Sequence, residues 1–211
     1  MRLYLSSYSL GSQIDRLHNM TSQNKRMLFI DNAKDYLPEL ERAEHVAQKA
    51  KDYTAAGFEV EELDLRAYFD NSKKLSDRLA NVGIIWVSGG NAFILRRAMA
   101  YSGLDVLLKK GIRNDDFVYG GSSAGSIVMT KTLRGTENGD DPYVVPDGYK
   151  DDIIWTGLGL IYPQLVPHYQ SEWFGDEAQA MADYFEHNGY AYETLRDDEV
   201  YVVDGELEEK L

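Results

Sequence analysis

Short apolar segments alternate with amphipathic segments along most of this chain. Residues 26–31 (RMLFID) form a continuous apolar run that ends in a polar residue, and residues 82–87 (VGIIWV) form another. Such runs are typical of strands that are buried on both faces of a parallel sheet. The intervening helices must then cover both faces of that sheet. The pattern therefore predicts an α/β fold, a three-layer sandwich with a mostly parallel sheet at its centre.

Residue periodicity places the individual elements. The predicted strands lie at residues 3–5, 26–31, 58–65, 82–87, 117–120 and near 165–168, with a hairpin at 200–207. The predicted helices lie at residues 38–56, 72–80, 92–101, 104–110 and 176–187, with one more directly after residues 121–125. Residues 132–150 are rich in Gly, Asp and Pro and predict a long loop, a kind of segment that is usually functional or disordered.

Length and composition narrow the class of protein. A chain of 211 residues is long enough for one sizeable core and marginal for two, so residues 1–211 are predicted to form a single domain. A formal net charge of −13 opposes binding to phosphate backbones, so no nucleic-acid partner is expected. The absence of cysteine excludes disulfides, thiolate metal sites and a cysteine nucleophile.

The amino-terminal segment and the overall hydropathy bear on localisation. Residues 1–7 lack the apolar run of a signal peptide and predict a first strand instead. No stretch approaches the roughly 18 to 20 apolar residues that a membrane span needs. The expectation is a cytoplasmic protein that does not associate with membranes.

Residues 121–125 (GSSAG) match the pattern G-x-S-x-G of a nucleophile elbow. In that pattern the serine occupies a tight strand-to-helix turn, and a side chain at either flanking glycine would collide with a neighbouring strand or helix. The central position favours Ser123 over its neighbour Ser122 as the nucleophile. The structural alternative is that Gly121 and Gly125 only permit close packing of a helix on the sheet.

A serine nucleophile needs a base, and His168 is the best placed of the four histidines. It follows an apolar segment that predicts a strand end and precedes the aromatic Tyr169. Ligands of parallel α/β sheets bind at the carboxyl ends of the strands. The other histidines are interpreted as exposed or capping residues: His18, His45 and His187.

The third member of a catalytic triad would be a carboxylate that orients the imidazole. The loop between Ser123 and His168 offers several such residues, and their spacing does not select one. The candidates are Glu137, Asp140, Asp141, Asp147, Asp151 and Asp152.

Two backbone N–H groups are needed to hold an oxyanion. Ala124, directly after the nucleophile, is the natural first donor. Residues 88–91 (SGGN) are a candidate for the second, since glycine lets the backbone approach a ligand closely. The alternative is an ordinary strand-to-helix turn with Asn91 as the N-cap, and both interpretations can hold together.

Three segments together resemble the S51 peptidases, which include aspartyl dipeptidase (peptidase E) and, more distantly, cyanophycinase. They are residues 86–95 (WVSGGNAFIL), residues 121–125 and residues 167–169 (PHY). Each is a weak motif alone, but all three occur in the order that the family has, and the resemblance covers most of the chain.

The resemblance implies a flavodoxin-like fold similar to that of class I glutamine amidotransferases, with serine replacing their cysteine. It implies hydrolysis of short peptides through an acyl-enzyme, without a metal or other cofactor. Ser123 would attack, and His168 would transfer the proton. The remaining site residues that it implies are Gly90 and Ala124 as oxyanion donors and Gly89 and Asn91 as substrate-binding residues.

The resemblance places the acid in the loop after the elbow helix, where Asp140 is the best match and Glu137 and Asp141 are rivals. The chain also departs from the family pattern. Ala92 replaces the usual threonine, and residues 170–177 (QSEWFGDE) lack the arginine-bearing stretch of aspartyl dipeptidases. An arginine there would pair with an acidic substrate side chain, so the resemblance does not extend to specificity for N-terminal aspartate.

Three functional hypotheses follow from these residues. The first is a metal-independent serine peptidase acting on short peptides, a dipeptidase or another exopeptidase. The second is an esterase or amidase that uses the same elbow. The third is a binding protein on a hydrolase-like scaffold. The sequence leaves the oligomeric state open, with a homodimer among the options.

Overall fold

A seven-stranded sheet forms the centre of the computed structural model, which describes residues 1–69 and 71–211. In chain order the strands are Arg2–Ser6 (β1), Arg26–Ile30 (β2), Glu59–Glu62 (β3), Ile84–Val87 (β4), Val118–Ser122 (β5), Gln164–Val166 (β6), Tyr192–Thr194 (β7), Val200–Asp204 (β8) and Leu207–Lys210 (β9). Seven of these strands form the large sheet, in the order β3-β2-β4-β5-β1-β8-β9, and β6 and β7 pair in a separate small sheet. The first five strands of the large sheet are parallel, and β8 is antiparallel to both β1 and β9. The predicted α/β class with a mostly parallel sheet is confirmed.

Helices connect most of these strands. They are Ile14–Thr21 (α1), Glu39–Ala55 (α2), Ser72–Arg78 (α3), Ala92–Ser102 (α4), Leu104–Asn114 (α5), Ala124–Ile127 (α6) and Gly175–His187 (α7). Short 3-10 turns lie at Asn32–Lys34, Leu65–Tyr68 and Thr136–Asn138. Within the part of the chain that the structure describes, no helix is both long enough and apolar enough to cross a membrane.

Side-chain alternation along the strands creates two separate cores, one on each face of the sheet. On β2, Leu28 and Ile30 pack with α3, α4, α5, α6 and α7, whereas Met27 and Phe29 pack on the opposite face with α1 and α2. The sheet is therefore the middle layer of three. Helix α1 was not predicted, because four of its eight residues are charged or strongly polar and only Leu17, Met20 and Thr21 are buried.

The carboxyl ends of the parallel strands meet at one edge of the sheet, and this edge carries the site. Asp31 follows β2, Ser88 follows β4 and Ser123 follows β5. Since β8 is antiparallel to β1, its first residue pairs with the last residue of β1, Ser6 with Val200. The segment that leads into β8 is thereby brought to the same edge.

Candidate active site

Ser123 lies on a strained turn between β5 and α6. Its backbone has φ 50° and ψ −113°, a left-handed conformation that side-chain-bearing residues rarely adopt. Its N–H donates to the carbonyl of Ser6 on β1 at 3.2 Å, which fixes the turn to the neighbouring strand. The helix predicted after this turn is only the single turn Ala124–Ile127, all of it buried.

The two glycines of the motif are required by the packing around the turn. A Cβ placed on Gly121 would lie 2.5 Å from the carbonyl oxygen of Gly125. A Cβ placed on Gly125 would lie 2.2 Å from the carbonyl oxygen of Val87 on β4. Both distances are far below van der Waals contact, and in each case the obstacle is rigid backbone. The two glycines therefore permit close packing, as the structural alternative predicts, and the same packing shapes the turn that carries Ser123.

His168 connects Ser123 to a carboxylate. Its Nε2 lies 3.0 Å from Ser123 Oγ, and its Nδ1 lies 2.8 Å from Asp197 Oδ1. An ionised carboxylate only accepts hydrogen bonds, so Nδ1 carries the proton and Nε2 is left to accept from the serine hydroxyl. This is the tautomer that a histidine acting as a base on Ser123 requires.

The backbone around His168 is held from both sides. Its N–H donates to Ser7 Oγ at 2.8 Å, and that hydroxyl donates to the carbonyl of Leu195 at 3.2 Å. The imidazole faces the rings of Phe174 and Tyr8, with centroid separations of 5.1 and 6.2 Å. His168 does follow a strand, as predicted, but that strand is β6 of the small β6-β7 sheet and not a strand of the central sheet.

The carboxylate on His168 is not the one expected from the sequence. Asp140 accepts instead from the N–H of Ala92 at 2.8 Å, at the start of α4. Asp141 accepts from the N–H of Tyr143, and Glu137 lies in the turn Thr136–Asn138. The expectation that Asp140 is the partner of His168 is therefore corrected. The loop that carries Asp140 packs on the amino end of α4, and the imidazole bonds to Asp197 instead.

Asp140 nevertheless belongs to the pocket that contains Ser123. Burial raises the pKa of its carboxyl to about 7, opposed in part by the hydrogen bond from Ala92 N–H. In the residues that the structure describes, this is the one hydrogen bond to the carboxylate, and no cation neutralises it. Asp140 is thus a carboxylate without a counter-charge at the wall of the pocket.

The turn at residues 88–91 lies against the nucleophile. A Cβ on Gly89 would lie 2.9 Å from Ser123 Cβ, and Gly90 has φ 141°. The side chain of Asn91 caps α4 by accepting from Phe93 N–H and Ile94 N–H, and it donates to the carbonyl of Asp141. The N-cap interpretation of Asn91 thus agrees with its contacts. Its backbone, with Gly89 and Gly90, lines the pocket.

The pocket has a volume of about 550 Å³. That is enough for a small ligand or a short peptide segment. Its walls carry aromatic, basic and acidic side chains, among them Tyr8, Tyr36, Phe174, Lys34, Lys49, Asp140 and Glu177.

A serine on a strained strand-to-helix turn, bonded to a histidine that a carboxylate orients, defines a serine hydrolase on an α/β sheet. Comparison with known proteins specifies the family. The profile of peptidase family S51 matches residues 6–209. The chain belongs to peptidase family S51 and is a serine-type peptidase.

Individual relatives agree with this membership. An uncharacterized peptidase of Pasteurella multocida is 28% identical over 162 residues, which cover 76% of this chain and 73% of the relative. Peptidase E of Streptomyces coelicolor is 34% identical over 107 residues, covering 51% of this chain and 40% of that protein.

Two solved structures share the fold. A Listeria monocytogenes protein described as a candidate peptidase E superposes with a TM-score of 0.78 at 20% identity, covering 100% of this chain and 97% of that one. A peptidase from an acI-B1 actinobacterium superposes with a TM-score of 0.62 at 16% identity, covering 100% and 93%. At these identities the likeness speaks to the fold alone.

Proposed function

We propose that this peptidase cleaves short peptides through an acyl-enzyme on Ser123, with His168 as general base and Asp197 as the acid of the triad. The observation that carries the proposal is the continuous hydrogen-bonded series from Asp197 through His168 to Ser123 at the wall of the pocket. The Ser123–His168 contact, at 3.0 Å, is short enough for proton transfer, and the His168–Asp197 contact, at 2.8 Å, is short enough to orient the imidazole.

The reaction begins with the formation of a tetrahedral intermediate on Ser123. Ser123 Oγ attacks the peptide carbonyl carbon while its proton passes to His168 Nε2. Asp197 stabilises the imidazolium that results. The carbonyl oxygen becomes an oxyanion, for which the N–H groups of Gly90 and Ala124 are the proposed donors. In the described part of the chain neither N–H has a hydrogen-bond partner, which supports their availability to a ligand.

Collapse of this intermediate forms the acyl-enzyme, and hydrolysis then returns the enzyme to its starting state. The imidazolium gives its proton to the amine nitrogen as the carbon–nitrogen bond breaks, and the amine product leaves. Water then attacks the ester on Ser123, with His168 accepting its proton. When the second tetrahedral intermediate collapses, the imidazolium returns its proton to Ser123 Oγ as the carbon–oxygen bond to Ser123 breaks, which releases the carboxylic acid and restores the Ser123 hydroxyl.

Asp140 supports an exopeptidase that recognises a free amino terminus. Its carboxylate lines the pocket and has a raised pKa of about 7, and among the described residues no cation is paired with it. A substrate α-ammonium would supply that charge. A charge-assisted hydrogen bond of this kind contributes about 1.5 to 3 kcal/mol, a factor of roughly ten to a hundred in kcat/KM. N-acetylation of a good peptide substrate should therefore lower kcat/KM in the wild type, and Asp140→Asn should remove most of the difference.

The deciding experiment is hydrolysis of a panel of dipeptides and short peptides, followed by mass spectrometry. The panel contains N-terminal Asp, neutral and N-acetylated peptides together with matched esters. Wild type and Ser123→Ala are run in parallel, with Ser122→Ala as the control at the neighbouring serine. Peptide cleavage is expected in wild type and Ser122→Ala and should vanish in Ser123→Ala.

Two results would change the proposal. Undiminished peptide cleavage by pure Ser123→Ala would exclude Ser123 as the nucleophile. Cleavage of esters with inert peptides would replace the peptidase by an esterase that uses the same triad.

A further inference from the structure

Lys34 is a largely buried lysine in the wall of the pocket, and the proposed reaction gives it no role. Its side chain is 19% exposed. Burial lowers the pKa of Lys34, and the adjacent Asp31 carboxylate opposes this shift. A buried ammonium is unfavourable unless charged or polar partners surround it, so its partners indicate why it is retained.

Two groups bind the ammonium of Lys34. It donates a hydrogen bond to the carbonyl oxygen of Gly89, and it lies 3.6 Å from Asp31 Oδ1. Asp31 is fully buried and is itself held by Ser88, whose hydroxyl donates to it, and by His45 Nδ1 at 2.9 Å. Lys34 therefore joins an anchored carboxylate at the end of β2 to the carbonyl of the turn that follows β4.

The carbonyl of Gly89 and the N–H of Gly90 belong to one planar peptide unit and point in opposite directions. A cation bound to the carbonyl thus fixes the direction of the Gly90 N–H. It also polarises the unit, and in hydrogen-bonded chains such polarisation strengthens each bond by about 10 to 30%. Without that cation the unit is restrained only weakly, by the Ser88 hydroxyl at 3.2 Å from the Gly89 oxygen, because the glycines on both sides of the unit allow wide rotation of the backbone.

A backbone hydrogen bond holds the other end of the turn, at Asn91. Asn91 N–H donates to the carbonyl of Ala33 at 2.8 Å, and the same carbonyl would lie 2.6 Å from a Cβ on Gly90. The hydrogen bond from Asn91 N–H fixes the chain after Gly90, and the close approach of the Ala33 carbonyl leaves no room for a side chain at Gly90. In the described part of the chain, two side chains bond to the Gly89 carbonyl: the ammonium of Lys34 and, at 3.2 Å, the hydroxyl of Ser88. The single proton of the Ser88 hydroxyl is shared with Asp31, so Lys34 is the stronger donor to this peptide unit.

We infer that Lys34 is a positioning residue, which locks the Gly89–Gly90 peptide so that the Gly90 N–H is preset to receive the oxyanion. The inference rests on the proposed function, since it assigns Gly90 as an oxyanion donor. Complete loss of an oxyanion donor lowers kcat by about 10²- to 10³-fold. Loss of its orientation alone should lower kcat by roughly ten- to a hundredfold with little change in KM.

The test compares Lys34→Met and Lys34→Arg with a matched control, Lys25→Met. Lys25 also donates to a backbone carbonyl, that of His18 at 2.8 Å, but it lies outside the pocket. The kcat of Lys34→Met should fall by roughly ten- to a hundredfold. The same variant should bind a peptide boronic acid more weakly by a similar factor. Lys34→Arg, which keeps a cationic donor, should recover at least part of both, and Lys25→Met should keep wild-type values.

A crystal structure of Lys34→Met decides the inference separately from the proposed function. A Gly89 carbonyl that is rotated, or divided between two orientations, is the expected result. An unchanged Gly89–Gly90 peptide would overturn the positioning role, whatever the kinetics. Failure of the proposed function would appear elsewhere, as a wild-type enzyme without Ser123-dependent cleavage.

Discussion

Asp197 Oδ1 lies 2.8 Å from His168 Nδ1, although 29 positions separate the two residues in the chain. The contact arises because β8 is antiparallel to β1, so that the segment before β8 meets the segment after β6. The Asp197 side chain is 45% exposed, whereas that of His168 is 14% exposed. The acid of the proposed triad thus approaches the imidazole from the solvent side.

Replacing Asp197 by asparagine should lower kcat by about a hundredfold or more, since the amide can present a donor to Nδ1 and so stabilise the unproductive tautomer. Partial solvent exposure should keep the loss below the roughly 10⁴-fold seen for fully buried acids. Steady-state kinetics on the best peptide measures the effect. Asp198→Asn, at an exposed neighbour, is the control and should retain wild-type kcat. Wild-type activity of Asp197→Asn would show that another residue is the acid of the triad.

Asp140 should make the protein less stable as pH rises from about 4 to 7. Its folded pKa of about 7 exceeds the ordinary value near 3.9, so the native state keeps a proton that the unfolded state releases in this window. Asp140→Asn removes the effect, and its melting temperature relative to wild type should increase by about 2 °C or more between pH 4.5 and 8. The exposed Asp151→Asn should show no such trend. A pH-independent difference for Asp140→Asn would contradict the raised pKa.

Ser123→Gly should be more stable than Ser123→Ala, while both lack activity. The left-handed φ of 50° at this position strains any residue with a side chain, and glycine relieves that strain. Strain of 1 to 3 kcal/mol, less the greater entropy of unfolded glycine, leaves a net gain of about 1 kcal/mol, or roughly 2 to 4 °C in melting temperature. Calorimetry on both variants measures it. Equal melting temperatures would show that the turn is unstrained.

Gly125→Ala should destabilise the fold by at least about 1 to 3 kcal/mol, because the new methyl group would meet the Val87 carbonyl. The matched control is Gly175→Ala, where the nearest atom lies 3.6 Å from the added carbon. Urea denaturation of both variants should give a large loss for the first and little change for the second. A wild-type midpoint for Gly125→Ala would mean that α6 can move away from β4 without penalty.

Much of the fold was predictable because its strands are buried on both faces and read as continuous apolar runs. The runs at 26–31, 82–87 and 117–120 correspond to β2, β4 and β5, and the predicted hairpin corresponds to β8 and β9. Strand β7 was missed because it has three residues, all of them partly exposed. A signal that short does not rise above that of an ordinary loop.

The site was predictable where chemistry is local and unpredictable where it depends on tertiary pairing. Ser123 and the 88–91 turn follow directly from glycine-rich segments at strand ends. Asp197 was not predicted, because the resemblance implies an acid in the loop between the serine and the histidine. Residues 196–199 (RDDE) look like a solvated turn, and only the antiparallel pairing of β8 with β1 brings Asp197 to His168. The role inferred for Lys34 likewise depends on a carbonyl 55 positions away.

The late position of β8 in the chain also bears on protein synthesis. A ribosome that has translated as far as α7 has already produced the Ser123 elbow and His168, but not the carboxylate that orients the imidazole. The strand that brings this carboxylate into place is translated later still. The nascent chain should therefore lack full Ser123-dependent activity until β8 has emerged and paired with β1.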